Sequence, residues 1–581
     1  MPIETIFGNL QGLKHSQQKQ LQRLYHQRIP GDNFTTPEFA QRLAAISTEI
    51  NQPVCAYLNR RGQVIRVGVG TPRSTQIPLT ELPRYGAERL SGIRCIATQL
   101  KPEQPNDGAL TAMALQRLDA LIVLNITGTG FQRRGGGAAG YVKEAYLAHL
   151  TPDAGALITN PTSDLETSDY TFPCWSVSPP MSLDVLSKQD FLDLVEGLEE
   201  EFQREFVAKE VDTDQDRVVV VGVLTQKTIP QQFQDTITEL GRLVDTAGGK
   251  VLLTMRQKRS RIHPQTVVGE GKVQEIALSV QTLGANLVVF DRDLSPAQVR
   301  NLELQIGVRV VDRTELILDI FAQRARSGAG KLQVELAQLE YMLPRLTGRG
   351  QAMSRLGGGI GTRGPGETKL ETERRAISRR ITRLQKEVNQ LQAHRERLRQ
   401  RRQHREVPTI AIVGYTNAGK STLLNALTNA SVYTADQLFA TLDPTTRRLV
   451  VPHAATEETQ EILATDTVGF IHELPGALMD AFRATLEEVT EADALVHLVD
   501  LSHSAWLSHI RSVRDILAQM PVTPGPALVV FNKIDQANSE TLADAREEYP
   551  MAVFISAQQR LGLETLRERL AQLIQYANAS R

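Results

Sequence analysis

The chain has 581 residues, a formal net charge of −1, 41% hydrophobic and 23% charged residues, and three cysteines, Cys55, Cys95 and Cys174. This length exceeds what one hydrophobic core supports, so the sequence predicts several globular domains. No apolar run approaches the ~18 residues that span a bilayer, and the N-terminus shows no signal or transit peptide, so we expect a cytoplasmic protein. The cysteines lack CxxC spacing, so we expect buried thiols rather than disulfides or a zinc site.

Residues 1–206 are the least informative part of the sequence and are predicted to form an N-terminal extension with an α/β-like fold. The segments Val54–Leu58 and Val64–Val69 flank a turn and predict a β-hairpin, and Leu121–Ile126 predicts a strand. The glycine-rich stretch Gln132–Gly140 could bind phosphate, but a connecting loop is the favoured interpretation. We find no catalytic constellation in this part of the sequence.

A second, smaller α/β domain is predicted over residues 207–325. Its strands alternate with helical patterns, which is typical of a largely parallel sheet. The turn at Gly269–Gly271 could approach a nucleotide, but an ordinary turn is the favoured interpretation, because a two-glycine loop is a weak motif. The predicted strands are Arg217–Leu224, Lys250–Thr254, Asn286–Phe290 and Val308–Val311, and the predicted helices include Val273–Leu283 and Pro296–Ile306.

Residues 326–406 are predicted to form a basic helical hairpin, an antiparallel pair or coiled coil, with a glycine-rich loop between the helices. The loop, Leu356–Glu371, is flanked or interrupted by Arg355, Arg363 and Lys369, and its glycines permit close approach of the backbone to a phosphate-rich surface. Apolar residues at heptad-like spacing define the helical seam. They are Ile377, Ile381, Leu384, Val388, Leu391 and Leu398 on one helix, and Leu332, Leu336, Leu339 and Leu343 on its partner.

The charge of the chain is concentrated in this helical region. Between Arg324 and Glu406 there are 20 Lys and Arg residues, 8 Glu and no Asp, a net of +12, so the remainder of the chain carries −13. Such a basic segment often contacts a polyanion, although a solvated helical face is the alternative interpretation.

Residues 407–575 carry a phosphate-binding motif. Gly414–Ser421 fits G-x-x-x-x-G-K-S and lies between an apolar strand, Ile410–Val413, and a helical pattern, which is the setting of a P-loop. Backbone N–H groups of such a loop surround the β-phosphate, Lys420 contacts the β- and γ-phosphates, and the Ser421 hydroxyl ligates Mg²⁺. Further strands are predicted at Ile462–Ala464, Ala494–Val499, Ala527–Phe531 and Ala552–Ile555. We expect a mostly parallel sheet with helices on both faces.

Guanine recognition is predicted at Asn532–Asp535, which follows an apolar strand. The Asp535 carboxylate can accept hydrogen bonds from the guanine N1–H and 2-amino groups, which adenine lacks in that arrangement, and a Ser556-Ala557 amide can meet guanine O6. Asp466–Gly469 supplies a carboxylate near Mg²⁺ and a glycine N–H for the γ-phosphate. Within Phe439–Asp443, Thr441 is the candidate switch threonine for Mg²⁺, although Thr445 and Thr446 could compete with it.

These motifs resemble the translation-factor branch of GTPases and, in detail, the HflX family. The stretches GYTNAGKSTL, FATLDPTTR, DTVGFI, NKID and GGGIGTRGPGETKLE are similar to that family over about Val211 to Leu570. The resemblance implies a GTP-hydrolysing enzyme that uses Mg²⁺, binds the large ribosomal subunit and, in its GTP state, separates stalled or idle ribosomes. The net charge of +12 then predicts that the basic segment 324–406 contacts ribosomal RNA. We expect a monomer with no DNA partner and no stable membrane insertion.

The resemblance also assigns site residues by motif. Lys420, Thr441 and Gly469 are the catalytic candidates, and Ser421 and Thr441 are the candidate Mg²⁺ ligands. The predicted nucleotide-binding residues are Gly414, Tyr415, Thr416, Asn417, Ala418, Gly419, Lys420, Ser421, Phe439, Ala440, Thr441, Leu442, Asp443, Asp466, Thr467, Val468, Gly469, Asn532, Lys533, Ile534, Asp535, Ser556 and Ala557.

One residue departs from the Ras-like pattern. Phe470 stands where Ras-like enzymes have the glutamine that orients water, so the nucleophile must be placed by backbone, another side chain or a partner. His472 could orient water, although an exposed loop histidine without a role is the favoured interpretation. Two alternatives stay open, a GTP-dependent switch for a protein or other RNA partner and a tRNA-modification GTPase, although no cysteine follows Cys174 to serve the latter.

Overall fold

The computed structural model describes most of the chain, and all that follows concerns those residues. They are 5–78, 82, 89–127, 140–151, 175–209, 215–226, 229–325, 327–346, 365–402, 407–428, 438–439, 444–452, 459–471, 489–518 and 525–579. The predicted loop Gln132–Gly140, apart from Gly140, lies outside this set, as do Cys174, Leu356–Gly364 and His472. No helix in these ranges is long and apolar enough to cross a membrane.

The described residues divide into two compact units. One contains residues up to 219 together with 268–288 and 301–309, and the other contains 220–267, 289–300 and 310–581. The boundaries predicted from the sequence, at 206, 325 and 406, stay predictions.

The N-terminal extension is built on a seven-stranded mixed sheet of order β1-β3-β2-β4-β5-β6-β7. The predicted hairpin is confirmed, because β2 and β3 pair antiparallel. Cys55 and Cys95 are buried free thiols in this core. The strands are β1 Ile6–Gly8, β2 Val54–Asn59, β3 Val64–Val69, β4 Ile93–Gln99, β5 Ala120–Thr127, β6 Tyr141–Leu150 and β7 Trp175–Val177, and the helices are α1 His15–Gln22, α2 Pro37–Ile50, α3 Asp107–Leu115, α4 Leu183–Leu186 and α5 Phe191–Lys209.

A four-stranded sheet of order β11-β10-β8-β9 confirms the smaller α/β fold that strand and helix alternation predicted. Gly269, in the predicted turn, is the N-cap residue of a helix. The strands are β8 Arg217–Thr225, β9 Lys250–Arg259, β10 Leu287–Phe290 and β11 Arg309–Asp312, and the helices are α6 Pro230–Thr246, α7 Glu270–Leu283, α8 Pro296–Ile306 and α9 Arg313–Arg324.

Two long helices follow, α10 (Gly328–Leu346) and α11 (Pro365–Arg402), and they pack against each other. On α11 the predicted seam residues Ile381, Leu384 and Val388 are buried. On α10 the predicted leucines are only half-buried, and Val334 and Ala337 are the buried apolar residues. The helical pair is therefore present, with a seam that differs on α10.

The two helices run in the same direction, which corrects the predicted antiparallel hairpin. Arg380 donates to Glu335 at 2.8 Å and Gln385 donates to Glu340 at 2.8 Å, so both contacts join positions 45 residues apart. In an antiparallel pair, the second partner would instead lie earlier along α10. The length of the connection permits this direction, because residues 347–364 can span about 60 Å, roughly twice the ~28 Å length of α10.

The C-terminal part contains a six-stranded sheet of order β13-β14-β12-β15-β16-β17. Strands β14, β12, β15, β16 and β17 are mutually parallel neighbours, and the edge strand β13 is antiparallel to β14. The strands are β12 Thr409–Gly414, β13 Thr445–Pro452, β14 Thr459–Asp466, β15 Ala494–Asp500, β16 Ala527–Asn532 and β17 Val553–Phe554, and the helices are α12 Lys420–Thr428, α13 Trp506–Ala518, α14 Ser539–Glu548 and α15 Leu563–Ala579.

The sequence patterns predict every strand of this sheet except β13. Leu449 and Val451 are its only strongly buried side chains, since the others face solvent on an edge strand. Its apolar run, Leu449–Val451, fills only the second half of the strand and follows four polar residues, Thr445–Arg448, so the sequence signal is weaker than the long apolar runs of β15 and β16.

The buried carboxylate of Asp312 joins three elements. It caps α9 by accepting from the Glu315 N–H at 2.9 Å, and it also accepts from the Leu294 N–H at 3.0 Å, from the Tyr341 hydroxyl at 2.6 Å and from Arg345. Tyr341 and Arg345 of α10 therefore share one carboxylate at the start of α9, and Arg345 also pairs with Glu315 of that helix at 2.8 Å.

Replacing Asp312 by alanine should destabilise the protein by about 2–4 kcal/mol, because α9 would lose its N-cap, the Tyr341 hydroxyl its acceptor, and Arg345 one of its two carboxylate partners. The midpoint of urea unfolding, followed by circular dichroism, measures this. Glu387→Ala, which removes an exposed ion pair with Arg383, is the control and should change stability by less than about 1 kcal/mol. Equal shifts of the urea midpoint in the two variants would contradict the stabilising role assigned to Asp312.

Candidate functional site

The P-loop connects the end of β12 to the start of α12. Asn417 and Gly419 have φ angles of 62° and +91°, a left-handed conformation that suits glycine. A Cβ atom on Gly419 would lie 2.4 Å from Nδ2 of Asn532, and one on Gly414 would lie 2.3 Å from the Leu498 carbonyl oxygen. Close contacts therefore require glycine at both positions, and at Gly419 the backbone conformation requires it as well.

Lys420 is folded back over the P-loop. Its Nζ donates to the carbonyl oxygens of Gly414 at 3.2 Å and Tyr415 at 2.9 Å, and the residue is 7% exposed. Burial lowers the pKa of Lys420 to about 8, while the negative charge of Asp466 acts in the opposite direction. Because phosphate oxygens would supply stronger acceptors than neutral carbonyls, a bound nucleotide would stabilise the ammonium form.

The residues predicted for Mg²⁺ meet at the start of α12. The Ser421 hydroxyl donates to Oδ2 of Asp466 at 2.6 Å, and Asp466 is buried at the end of β14. Hard oxygen ligands such as these, completed by phosphate and water, fit Mg²⁺. The described ranges contain no cluster of three or more His, Cys, Asp or Glu that could hold a metal. Thr441, the other candidate ligand, lies outside them.

Gly469 and Phe470 lie directly against the P-loop. A Cβ on Gly469 would be 2.8 Å from Thr416 Cα and 3.1 Å from Lys420 Nζ, so the glycine backbone closely approaches the lysine. The Phe470 N–H donates to the Gly414 carbonyl at 3.0 Å, and the Thr416 N–H donates to the Phe470 carbonyl at 2.7 Å. The Phe470 ring is buried, which agrees with the inference that this side chain does not orient water.

Asn532 connects the P-loop to the base-recognition loop. Its Nδ2 donates to the Ala418 carbonyl at 2.9 Å, and its Oδ1 accepts from the Ala557 N–H at 2.9 Å. The residue is 2% exposed, so both amide groups are used inside the protein. Asn532 therefore positions the two loops rather than presenting its side chain outward.

The remaining residues of the NKID motif have different environments. Lys533 forms an ion pair with Asp500 at 2.7 Å, and its φ is 61°. Asp535 is exposed, with Gln559 Nε2 at 3.4 Å as a weak neighbour. Ile534 packs against an apolar cluster. An exposed carboxylate at this strand end is accessible to a guanine base.

Phe439 is oriented towards α9. Its φ is 55°, it is buried, and its ring meets Phe321 edge-on at 4.8 Å. The side chain predicted for nucleotide binding thus packs against another helix. The next residues of that motif, Ala440, Thr441, Leu442 and Asp443, lie outside the described residues, so their assigned roles stay predictions.

The structure adds residues that sequence motifs do not identify. The Tyr415 hydroxyl donates to Glu239 of α6, and its ring stacks on His509 of α13 with centroids 3.8 Å apart. Glu239 in turn forms an ion pair with Arg313 at 2.5 Å. The only sequence signal for this cluster is an aromatic residue in a loop otherwise made of small and polar residues.

Known family sequences match three successive regions of the chain. Residues 234–322 match the GTP-binding GTPase N-terminal family, 324–402 the GTP-binding GTPase middle region, and 409–533 the 50S ribosome-binding GTPase family. Residues 1–233 precede these matches.

Curated relatives are similar over the same part of the chain. A protein named GTPase HflX from Caldanaerobacter subterraneus subsp. tengcongensis is 46% identical over 362 residues, covering 62% of this chain and 81% of the relative. The GTPase HflX of Alkalihalophilus pseudofirmus is 50% identical over 56% of this chain and 75% of its own. The GTPase HflX of Escherichia coli K12 is 46% identical over 62% of this chain and 83% of its own.

A solved structure described as SsGBP in complex with GDP is 27% identical and covers 62% of this chain and 99% of its own. Its TM-score is 0.37, so the two chains do not superpose closely as wholes.

Asp535→Asn should reduce the preference for GTP over ATP, because the amide cannot accept both hydrogen bonds from guanine. Lys420→Ala should abolish binding of either nucleotide, since it removes the buried charge beside the phosphates. Filter-binding competition of GTP against ATP measures both effects. Asp544→Asn, an exposed carboxylate on α14, is the control. Discrimination by Asp535→Asn equal to that of wild type would exclude Asp535 as the base-reading residue.

Proposed function

Because the chain belongs to the HflX family of GTPases, we propose that it binds the large ribosomal subunit and, in its GTP state, separates stalled or idle ribosomes. The observation that carries this proposal is the presence, in one chain, of a GTPase site and an exposed basic helix beside it in sequence. We further propose that it acts as a monomer in the cytoplasm, where ribosomes are found.

The chain hydrolyses GTP, and we assign the parts of this reaction to groups that the site already holds in place. Lys420 and the N–H groups at the start of α12 contact the phosphates, the Gly469 backbone lies close to the lysine ammonium, and Asp535 meets the base. Ser421 and Asp466 would hold a Mg²⁺ ion, which neutralises charge on the β- and γ-phosphate oxygens when bound.

Hydrolysis by the free protein should be slow. The buried Phe470 ring offers neither a donor nor an acceptor to the attacking water. P-loop GTPases without a supplied catalytic group turn over at on the order of 10⁻⁴ to 10⁻² s⁻¹, and a partner can add ~10³ to 10⁵. We infer that the large subunit supplies or orders the group that positions the attacking water.

The described part of α11 supports an RNA contact. Arg374, Arg379 and Lys386 are exposed, and Arg379 and Lys386 line one groove along the helix together with Arg383. Arg383 is paired with Glu387 in an exposed ion pair, which is weak and leaves its charge accessible. A helix with this excess of positive charge fits a phosphate backbone, where binding releases counterions.

Replacing Arg374, Arg379 and Lys386 together by alanine should weaken binding to purified large subunits and flatten its salt dependence. The slope of log K against log salt should fall by about 2 to 3, roughly one for each phosphate that is no longer neutralised. Equilibrium binding with a non-hydrolysable GTP analogue is the measurement. A control variant replaces the exposed residues Lys101, Lys188 and Arg546. A slope equal to wild type in the first variant would contradict the proposed RNA contact.

Large subunits should accelerate GTP hydrolysis by at least about a hundredfold, because a partner orders the catalytic groups. Single-turnover hydrolysis should be measured for the free protein and in the presence of large or small subunits, the small subunits serving as the control. A free protein that turns over at ~1 s⁻¹ with no response to large subunits would rule out activation by the partner.

A further inference from the structure

The P-loop is held in place from outside the nucleotide-binding domain. Tyr415, the second residue of the loop, donates its hydroxyl hydrogen bond to Glu239 on α6. Glu239 is fixed by its 2.5 Å ion pair with Arg313, at the start of α9, and the two side chains are only 13% and 8% exposed. One face of the Tyr415 ring is covered by His509, whose ring lies nearly parallel to it at an angle of 10°.

The P-loop therefore has two separate anchors. Asn532 holds its second half through the Ala418 carbonyl, next to Gly419 and the start of α12. Glu239 holds its first half through Tyr415. The N–H groups that surround a β-phosphate belong to the second half, so nucleotide affinity should depend mainly on the Asn532 anchor.

The first half contacts Lys420 and Gly469, the two residues assigned above to the γ-phosphate. The Tyr415 carbonyl accepts from Lys420 Nζ at 2.9 Å, and the neighbouring Thr416 N–H donates to the Phe470 carbonyl at 2.7 Å. Thr416 also limits how closely Gly469 can approach, since a Cβ on that glycine would lie 2.8 Å from Thr416 Cα. A displacement of Tyr415 would move the lysine and Gly469 relative to each other.

We propose that Glu239 is a positioning residue for GTP hydrolysis, acting through Tyr415 from the α/β region upstream of the nucleotide-binding domain. Its carboxylate fixes the Tyr415 ring, the ring fixes the backbone of Tyr415 and Thr416, and this backbone sets the geometry around the γ-phosphate. Such geometry affects rate steeply, because a shift of ~1 Å can cost up to ~10²-fold in rate.

The Tyr415 ring has space to move when it is released. A cavity of about 130 Å³ lies beside it, lined in part by Asp235, Thr236 and Arg242 of α6 and by Ser508 of α13. Stacking on His509 covers one face of the ring, and the hydroxyl contact fixes its far end. The Glu239 hydrogen bond therefore selects one position of the ring among those that the cavity allows.

The test uses the full chain without ribosomes, so its result is independent of the proposed ribosomal partner. Tyr415→Phe and Glu239→Ala should each lower the single-turnover hydrolysis rate constant at saturating protein by about tenfold. The double variant should be no slower than either single variant, because both remove the same contact. GDP affinity should stay within about twofold of wild type in all three variants, which also reports that the P-loop is folded.

Two further variants distinguish positioning from a general structural role. Glu239→Gln keeps an acceptor for the Tyr415 hydroxyl and should retain more activity than Glu239→Ala. Asp235→Ala, one turn earlier on α6 and lining the same cavity, should leave the rate within about twofold. An unchanged rate for Tyr415→Phe, rate losses that multiply in the double variant, or a loss of GDP affinity as large as the loss of rate would each overturn the proposal.

Discussion

The nucleotide site depends on the buried amide of Asn532. This side chain bonds to the Ala418 carbonyl in the P-loop and to the Ala557 N–H in the loop after β17, at 2.9 Å each. The segments predicted to recognise the phosphates and the base follow different strands of a parallel sheet, and an amide is suited to join them because it is both donor and acceptor. The absence of a side chain on Gly419 leaves room for this contact. The spacing between the two halves of the site is therefore set by one residue.

The upstream α/β region contributes to the same site through packing rather than through ligand contacts. Glu239 holds the P-loop tyrosine, and Phe321 packs edge-on against Phe439, close in sequence to the candidate switch threonine. Phe439 has a φ of 55°, which is unfavourable for a bulky side chain and requires surrounding contacts to maintain it. The P-loop and the segment that contains Phe439 thus touch α6 and α9, so the predicted nucleotide site packs against the region that precedes it in sequence.

The helical pair carries positive charge on a scaffold fixed by buried ionic contacts. Asp312 binds Tyr341 and Arg345 of α10, and Arg380 of α11 pairs with Glu335 of α10. The first of these contacts is buried and therefore costly to break, whereas the second is exposed and contributes little. The buried apolar residues Ile381, Leu384 and Val388 therefore contribute more than this ion pair to the packing of α11 on α10.

The sequence by itself determined the GTPase class and the fold of the region that carries its motifs, because each motif is a short contiguous stretch at the end of an apolar strand. Gly414–Ser421, Asp466–Gly469 and Asn532–Asp535 could be placed from local pattern alone, as could the alternation of strands and helices. The edge strand β13 could not, since only Leu449 and Val451 mark it as buried. Tertiary structure alone decided the parallel direction of α10 and α11 and the contact between Tyr415 and Glu239, which are 176 residues apart. No periodicity or motif encodes such a pair, because its geometry exists only once two separate parts of the chain have packed together.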